Sequence, residues 1–161
     1  MSKTYLVTGG AGFIGSNLVH FLLQEQGTKV VVLDALTYSG NLENLVALQE
    51  DSKFIFVQGD ICDTTKCEQV FTKFTPDVVF HLAAETHVDR SIDSPETFIW
   101  TNTLGSFRIL ETAHQYWSKL EPNRKEQFRF VHVSTDEVYG SLGTDGLFSE
   151  KSPYKPNSPY A

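Results

Sequence analysis

The sequence predicts a doubly wound α/β fold on a parallel sheet, and two observations carry that prediction. Five short runs rich in β-branched and aromatic residues recur at positions 4–8, 29–33, 54–57, 78–81 and 128–134. Most are nearly continuous in apolar residues, as suits strands covered on both faces. Segments with helical spacing separate them, and alternation of strand with helix builds right-handed βαβ units. The expected strand order is 3-2-1-4-5, with a ligand crevice at the carboxyl ends. A length of 161 residues suits one domain, and 40% hydrophobic with 20% charged residues is a globular composition.

The helices follow from spacing. Residues 13–24 place Phe13, Leu18, Phe21 and Leu22 toward one side, and 42–48 and 67–74 repeat the pattern more weakly. The longest helical segment is 94–120, with Ser94 as N-cap, Pro95 in the first turn and Glu96 as an early acid. It carries Phe98, Trp100, Phe107, Leu110, Tyr116 and Trp117, more apolar surface than one buried stripe requires. Residues 121–127 are polar and charged and read as a surface loop. Residues 141–159 hold Gly143, Gly146, Pro153, Pro156 and Pro159 without periodicity, and a loop that long is usually functional or disordered.

Thirteen Lys and Arg against 20 Asp and Glu leave a net charge of -7. That balance disfavours a nucleic-acid backbone or an anionic membrane surface as partner. No stretch approaches the length of an apolar membrane span, and an apolar strand-like run begins almost at once without a leader. The expected setting is cytoplasmic. Cys62 and Cys67 read as reduced thiols rather than a bridge or half of a metal site. His81 and His87 lack metal-ligand spacing, so no metal is expected and each reads as a structural or substrate-contact residue. Asp89 with Arg90 reads as a structural ion pair.

The first strand runs into Thr8-Gly9-Gly10-Ala11-Gly12-Phe13-Ile14-Gly15. Both Gly10-x-Gly12-x-x-Gly15 and Gly9-x-x-Gly12-x-x-Gly15 lie in it, between a strand and a helix. Glycines there permit a tight turn, close approach of backbone to a pyrophosphate, and close helix–strand packing. The helix N-terminus then offers free N–H groups to the phosphates. A glycine-rich turn without a ligand is the plainer alternative. Asp34 closes the second strand about 20 residues on, where a carboxylate accepts both ribose hydroxyls of an adenosine. A 2′-phosphate would meet that charge at a cost of ~4 kcal/mol per charge pair at an effective dielectric of 20. No Arg or Lys follows in Ala35-Leu36-Thr37-Tyr38, so NAD is expected rather than NADP. Gly59-Asp60-Ile61 either flanks the adenine or makes an ordinary strand-ending turn.

The fifth strand ends in Ser134-Thr135-Asp136-Glu137-Val138-Tyr139-Gly140. A hydroxyl and two adjacent carboxylates there can deliver and remove protons in one site, if their environments separate their pKa values. A Thr-Asp-Glu cluster equally suits a capping turn. After the fourth strand, Ala83 and Ala84 are small enough to let a flat cofactor approach the backbone.

These residues resemble the dTDP-glucose 4,6-dehydratases of the extended short-chain dehydrogenase/reductase superfamily, over essentially the whole chain. The 8–15 octet is shared by the wider nucleotide-sugar family. Leu36-Thr37-Tyr38-Ser39-Gly40-Asn41-Leu42 and the run 81–91 are more selective, and 135–140 is the most specific. The resemblance implies a lyase converting dTDP-glucose to a 4-keto-6-deoxy sugar nucleotide by internal redox on NAD. Tyr160 would take the proton of the 4-hydroxyl, with Thr135 hydrogen-bonded to that hydroxyl. Glu137 would act as base at carbon 5, and Asp136 would protonate the hydroxyl leaving carbon 6. By the same matching Phe13, Ile14, Asp34, Ala35, Leu36 and Thr37 would line the cofactor. So would Asp60, Ile61, Leu82, Ala83, Ala84, Thr86 and Thr101, and Thr86 would also touch substrate. A homodimer through the 94–120 helix is implied as well.

The family's tyrosine belongs to Tyr-x-x-x-Lys, and the lysine position falls after Ala161. An unperturbed tyrosine is ionised in roughly one molecule per thousand at pH 7, and a neighbouring lysine lowers its pKa. The expectation is a Rossmann-type NAD-binding domain over residues 1–161, incomplete at its C-terminus and inactive alone. The alternatives are an NAD-dependent epimerase or decarboxylase of another sugar nucleotide, or a non-catalytic NAD-binding module.

Overall fold

The computed structural model describes residues 2–144 and 146–161, so position 145 of the predicted long loop lies outside the described residues. Five strands, β1 (Lys3–Thr8), β2 (Thr28–Asp34), β3 (Phe54–Gln58), β4 (Val78–His81) and β5 (Arg129–His132), form one sheet in the order β3-β2-β1-β4-β5. Every pairing is parallel. The strand order and class are those the sequence predicts. β5 is shorter than the predicted 128–134 run and sits at the sheet edge, where Val131 is exposed.

Alternation along β2 explains why the runs are continuously apolar. Val31 and Leu33 point into one core with Leu6, Val79, Val70, Phe71, Ile109 and Ala113. Val30 and Val32 point into a second with Val7, Val19, Leu22, Leu23 and Leu45. The helix α1 (Phe13–Gln24) covers the second core, together with a 3-10 segment, Leu42–Leu48. α2 (Thr64–Phe74) and α5 (Ser106–Ser118) cover the first. α2 starts before the predicted 67–74 run because Asp63 caps it, its carboxylate accepting the Lys66 N–H at 3.0 Å.

Several expectations need correction. The buried stripe of α1 is Gly15, Ser16, Val19, Leu22 and Leu23, while Phe13 and Phe21 are exposed at 82% and 61%. Packing of Gly15 against the turn rotates that face, which spacing of large side chains does not reveal. Residues 121–127 are not a loop but contain α6 (Pro122–Gln127). Arg124 pins it, donating to the Asp77 carboxylate at 2.8 Å, the Thr75 carbonyl at 3.0 Å and the Tyr116 hydroxyl at 3.2 Å. The predicted 94–120 helix is helical from Pro95 to Ser118, as α4 (Pro95–Phe98), a π-helical stretch Ile99–Gly105, and α5. Ser94 makes no side-chain cap bond. A further short helix, α3 (Val88–Asp93), precedes it. Asp89 and Arg90 form no ion pair; Arg90 instead lies over the Tyr38 ring. The irregular 141–159 segment folds back on the preceding turn, with Tyr139 between Phe148 and Tyr154.

One buried polar group ties the layers together. The Thr8 hydroxyl accepts the N–H groups of Leu82 and Ala83, each at 3.2 Å, and meets His81 Nδ1 at 2.7 Å. Having accepted twice, the hydroxyl gives its own proton to Nδ1, so His81 carries its proton on Nε2 and donates to Ser106 Oγ at 2.9 Å. Burial, with the neighbouring His132 second, lowers the His81 pKa to about 4. Its folded pKa therefore lies below the unfolded value of 6.5, and the unfolded chain binds the proton first. The stabilisation is complete above pH 6.5 and is lost as pH falls toward 4, by about 3 kcal/mol. Urea unfolding of the parent and a His81→Asn variant should show their stability difference narrowing from pH 7 to pH 4.5. A difference that stays constant over that range contradicts the neutral, buried assignment.

Candidate active site

A cavity of about 720 Å³ opens along the carboxyl edge of the sheet, within the usual size of ligand sites. Its central wall is the turn between β1 and α1. Gly9 has φ +70, and a Cβ there would lie 2.7 Å from the Ala83 nitrogen. A Cβ on Gly15 would collide with the Gly9 carbonyl. At Gly12, by contrast, the nearest atoms are Gly9 O at 3.4 Å and Ser39 O at 3.8 Å, so that side of the turn is open. α1 starts at Gly12 without a side-chain cap, which leaves the positive end of its dipole toward the cavity. Gly9, Gly12, Phe13, Ile14 and Gly15 all line this wall.

Asp34 ends β2 with its carboxylate fixed. One oxygen accepts the Ala11 N–H at 2.9 Å and the other the Leu36 N–H at 2.8 Å. Each keeps a lone pair for a further donor. Ala35 and Thr37 line the cavity beside it, whereas Leu36, expected there too, packs against the second core and does not line it. Asp60 makes the strand-ending turn, its carboxylate accepting the Cys62 N–H at 2.8 Å, and it also lines the cavity with Ile61. The two thiols nearby are buried. Burial, with Asp60 adding to it, pushes Cys62 up to about 11, and burial with Asp63 and Asp60 pushes Cys67 up to about 12.

The exit of β4 supplies the opposite wall through Leu82, Ala83, Ala84 and Thr86. Asn102 holds it from the π-helical stretch. Its side chain accepts the Glu85 N–H and donates to the Glu85 carbonyl, both at 2.8 Å. Thr101 lines the cavity from the same stretch, a widened turn of the kind often found at functional sites.

The far end holds Thr135 and Tyr160. Thr135 caps the 3-10 turn Asp136–Tyr139, its hydroxyl accepting the Glu137 N–H at 3.2 Å, so the capping alternative describes this backbone. Asp136 is exposed and Glu137 half-buried, and neither side chain lines the cavity. The Tyr160 N–H donates to Ser91 Oγ at 3.2 Å, and its ring meets Phe98 edge-on at 6.4 Å. Ser91 is fully buried and its hydroxyl donates to the Val88 carbonyl at 2.6 Å. Ser39, from the selective 36–42 run, also lines the cavity, as do Ser106 and His132, which no motif marks. Asn102, Ser91 and His81 act through partners far away in the chain, which spacing cannot expose. Among the described residues, no group of three or more His, Cys, Asp or Glu is placed to hold a metal. Among the described residues, no helix is long and apolar enough to cross a membrane.

The chain is similar to known nucleotide-sugar enzymes. A dTDP-glucose 4,6-dehydratase of Neisseria gonorrhoeae is 52% identical over 160 residues, which are 99% of this chain and 46% of that protein. The crystal structure of a dTDP-glucose 4,6-dehydratase from Bacillus anthracis in complex with NAD superposes with a TM-score of 0.83 at 42% identity. It covers 99% of this chain and 46% of that one. A UDP-glucose 4-epimerase from Thermus thermophilus, also in complex with NAD, gives 0.81 at 34% identity, over 98% and 46% of the two chains. The chain thus spans about half the length of the relatives it matches. It shares their Rossmann-type sheet, and the match of residues 6–161 to the GDP-mannose 4,6 dehydratase family model shows that it belongs to that family.

Proposed function

We propose that this chain is the cofactor-holding part of a sugar-nucleotide 4,6-dehydratase acting on dTDP-glucose. One observation carries the reading: a single cavity runs from Asp34 past the glycine turn to Thr135 and Tyr160. An elongated dinucleotide matches that run, and the residues present fit NAD. The open face of Gly12 and the uncapped α1 terminus suit a pyrophosphate, and Asp34 suits the ribose hydroxyls. Asp60 and Ile61 flank the adenine, with Leu82, Ala83, Ala84, Thr86 and Thr101 along the remainder. When bound, NAD supplies a reversible hydride acceptor.

The chain's own groups manage the protons. Tyr160 takes the proton of the sugar's 4-hydroxyl, which Thr135 orients; Thr86 contacts the sugar. The ketone acidifies carbon 5, where Glu137 is the base, and Asp136 protonates the hydroxyl leaving carbon 6. This requires the Asp136 and Glu137 side chains to turn onto the wall that Thr135 already lines. Their position off the cavity is the one observation favouring an epimerase, since Thr135 and Tyr160 suffice for chemistry at the 4-hydroxyl. Product analysis separates the two.

A homodimer through the 94–120 segment is part of the proposal. Phe107, Leu110 and Trp117 share one face of α5 and are exposed, with Ile99 and Trp100 exposed beside them. The free thiols Cys62 and Cys67 and the net charge of -7 support a cytoplasmic setting without nucleic-acid or membrane partners.

Calorimetric titration of the full-length protein should find NAD bound and NADP weaker by about two to three orders of magnitude, from repulsion at Asp34. Equal affinities contradict the assignment of that carboxylate. Tyr160→Phe should lower kcat on dTDP-glucose by about 10²–10⁴-fold while NAD affinity stays unchanged. An NAD-loaded protein that leaves dTDP-glucose intact overturns the dehydratase reading. In light scattering, Phe107→Glu with Leu110→Glu should halve the assembled mass. An unaltered mass contradicts this interface.

A further inference from the structure

Tyr38, His87 and Arg90 do not line the cavity, although their sequence neighbours Thr37, Ser39 and Thr86 do. The Tyr38 ring stacks on the His87 imidazole with centroids 5.3 Å apart, and the Arg90 guanidinium lies 4.8 Å from the centre of the Tyr38 ring. Tyr38 belongs to the loop leaving β2, whereas His87 and Arg90 follow β4. Those strands flank β1 on either side, so their exits stand about 10 Å apart with the glycine turn between them. A contact joining the two exits therefore spans that turn.

We propose that Tyr38, His87 and Arg90 form a strap across the crevice that gates exchange of the dinucleotide, a role that rests on the proposed NAD site. The anchors on both sides are firm. The Leu36 N–H is held by Asp34, the Asn41 N–H bonds the Ala11 carbonyl at 3.1 Å, and the Gly40 N–H closes the loop onto Thr37 at 3.1 Å. Leu36 sits at φ +55, a left-handed conformation that a leucine keeps only when its surroundings impose it. On the other side Ser91, fully buried, ties α3 to the backbone of Tyr160.

The strap itself is weaker than its anchors. Its three side chains are exposed, and no side-chain hydrogen bond or ion pair joins them among the described residues. Ring stacking and a cation over a ring hold modestly at an exposed position, and such contacts part on the timescale of loop motion. A dinucleotide lying from Asp34 to Thr86 passes beneath the contact, so it enters and leaves when the contact is open. The contact must part for passage in either direction, so the strap slows capture and release alike.

The test uses the full-length protein with etheno-NAD, a fluorescent analogue, in stopped flow. Direct mixing reads capture, and a chase with excess NAD reads release. Tyr38→Ala and His87→Ala should speed capture and release together, each by about tenfold, with the dissociation constant held within about twofold. Tyr38→Phe keeps the ring and should keep the parent rates. Faster release with unchanged capture overturns the strap, because a lost cofactor contact or a loosened fold raises release alone. Unchanged rates in both alanine variants, with the parent binding the probe, overturn the strap and leave the NAD reading standing. A parent that binds no dinucleotide overturns both.

Discussion

The Thr8 hydroxyl accepts the N–H groups of Leu82 and Ala83 and gives its proton to His81, and this sets how closely the exits of β1 and β4 approach. The glycine turn depends on that spacing. Gly9 lies so near Ala83 that no Cβ fits between them, so the two walls of the cavity meet at backbone contact. His81 carries the same constraint outward to Ser106, at the start of α5. Replacing any member leaves a buried donor or acceptor without a partner, which costs about 1–3 kcal/mol per group.

From this core outward, each cavity wall is held by a polar clamp onto backbone rather than by packing alone. Asp34 fixes the β2 exit through Ala11 and Leu36, and Asn102 fixes the β4 exit through Glu85. Ser91 fixes the Tyr160 backbone. The walls that face the proposed cofactor are thus preorganised, as a site that must hold a ligand in one orientation requires. The Thr135–Tyr139 turn differs. Its carboxylates stand away from the cavity, and the chemistry assigned to them calls for reorientation that the clamped walls do not need.

Much of the fold was readable because it rests on local patterns. Continuous β-branched runs announced a sheet buried on both faces, and the alternation of Val30, Val31, Val32 and Leu33 between two cores is the reason. The glycine turn was readable because its residues are adjacent and only glycine tolerates their contacts. α6 does not show in its own polar sequence, because Arg124 holds it by reaching Asp77, a partner from another part of the chain. The exposed face of α1 is hidden from spacing because Gly15 and Ser16 pack inward with Val19, Leu22 and Leu23 while Phe13 and Phe21 stay outside. Ser91, Asn102 and the Tyr38 stack carry no such local mark, because each derives its role from a partner that the fold supplies, as do the two bonds that give His81 its structural place.

A crystal structure of the full-length protein grown with NAD tests the central claim most directly. The account predicts the adenosine ribose against Asp34, the pyrophosphate against the 9–15 turn, and the nicotinamide end beside Thr135 and Tyr160. A pyrophosphate bound away from the 9–15 turn, or an adenosine that leaves Asp34 free, would contradict it.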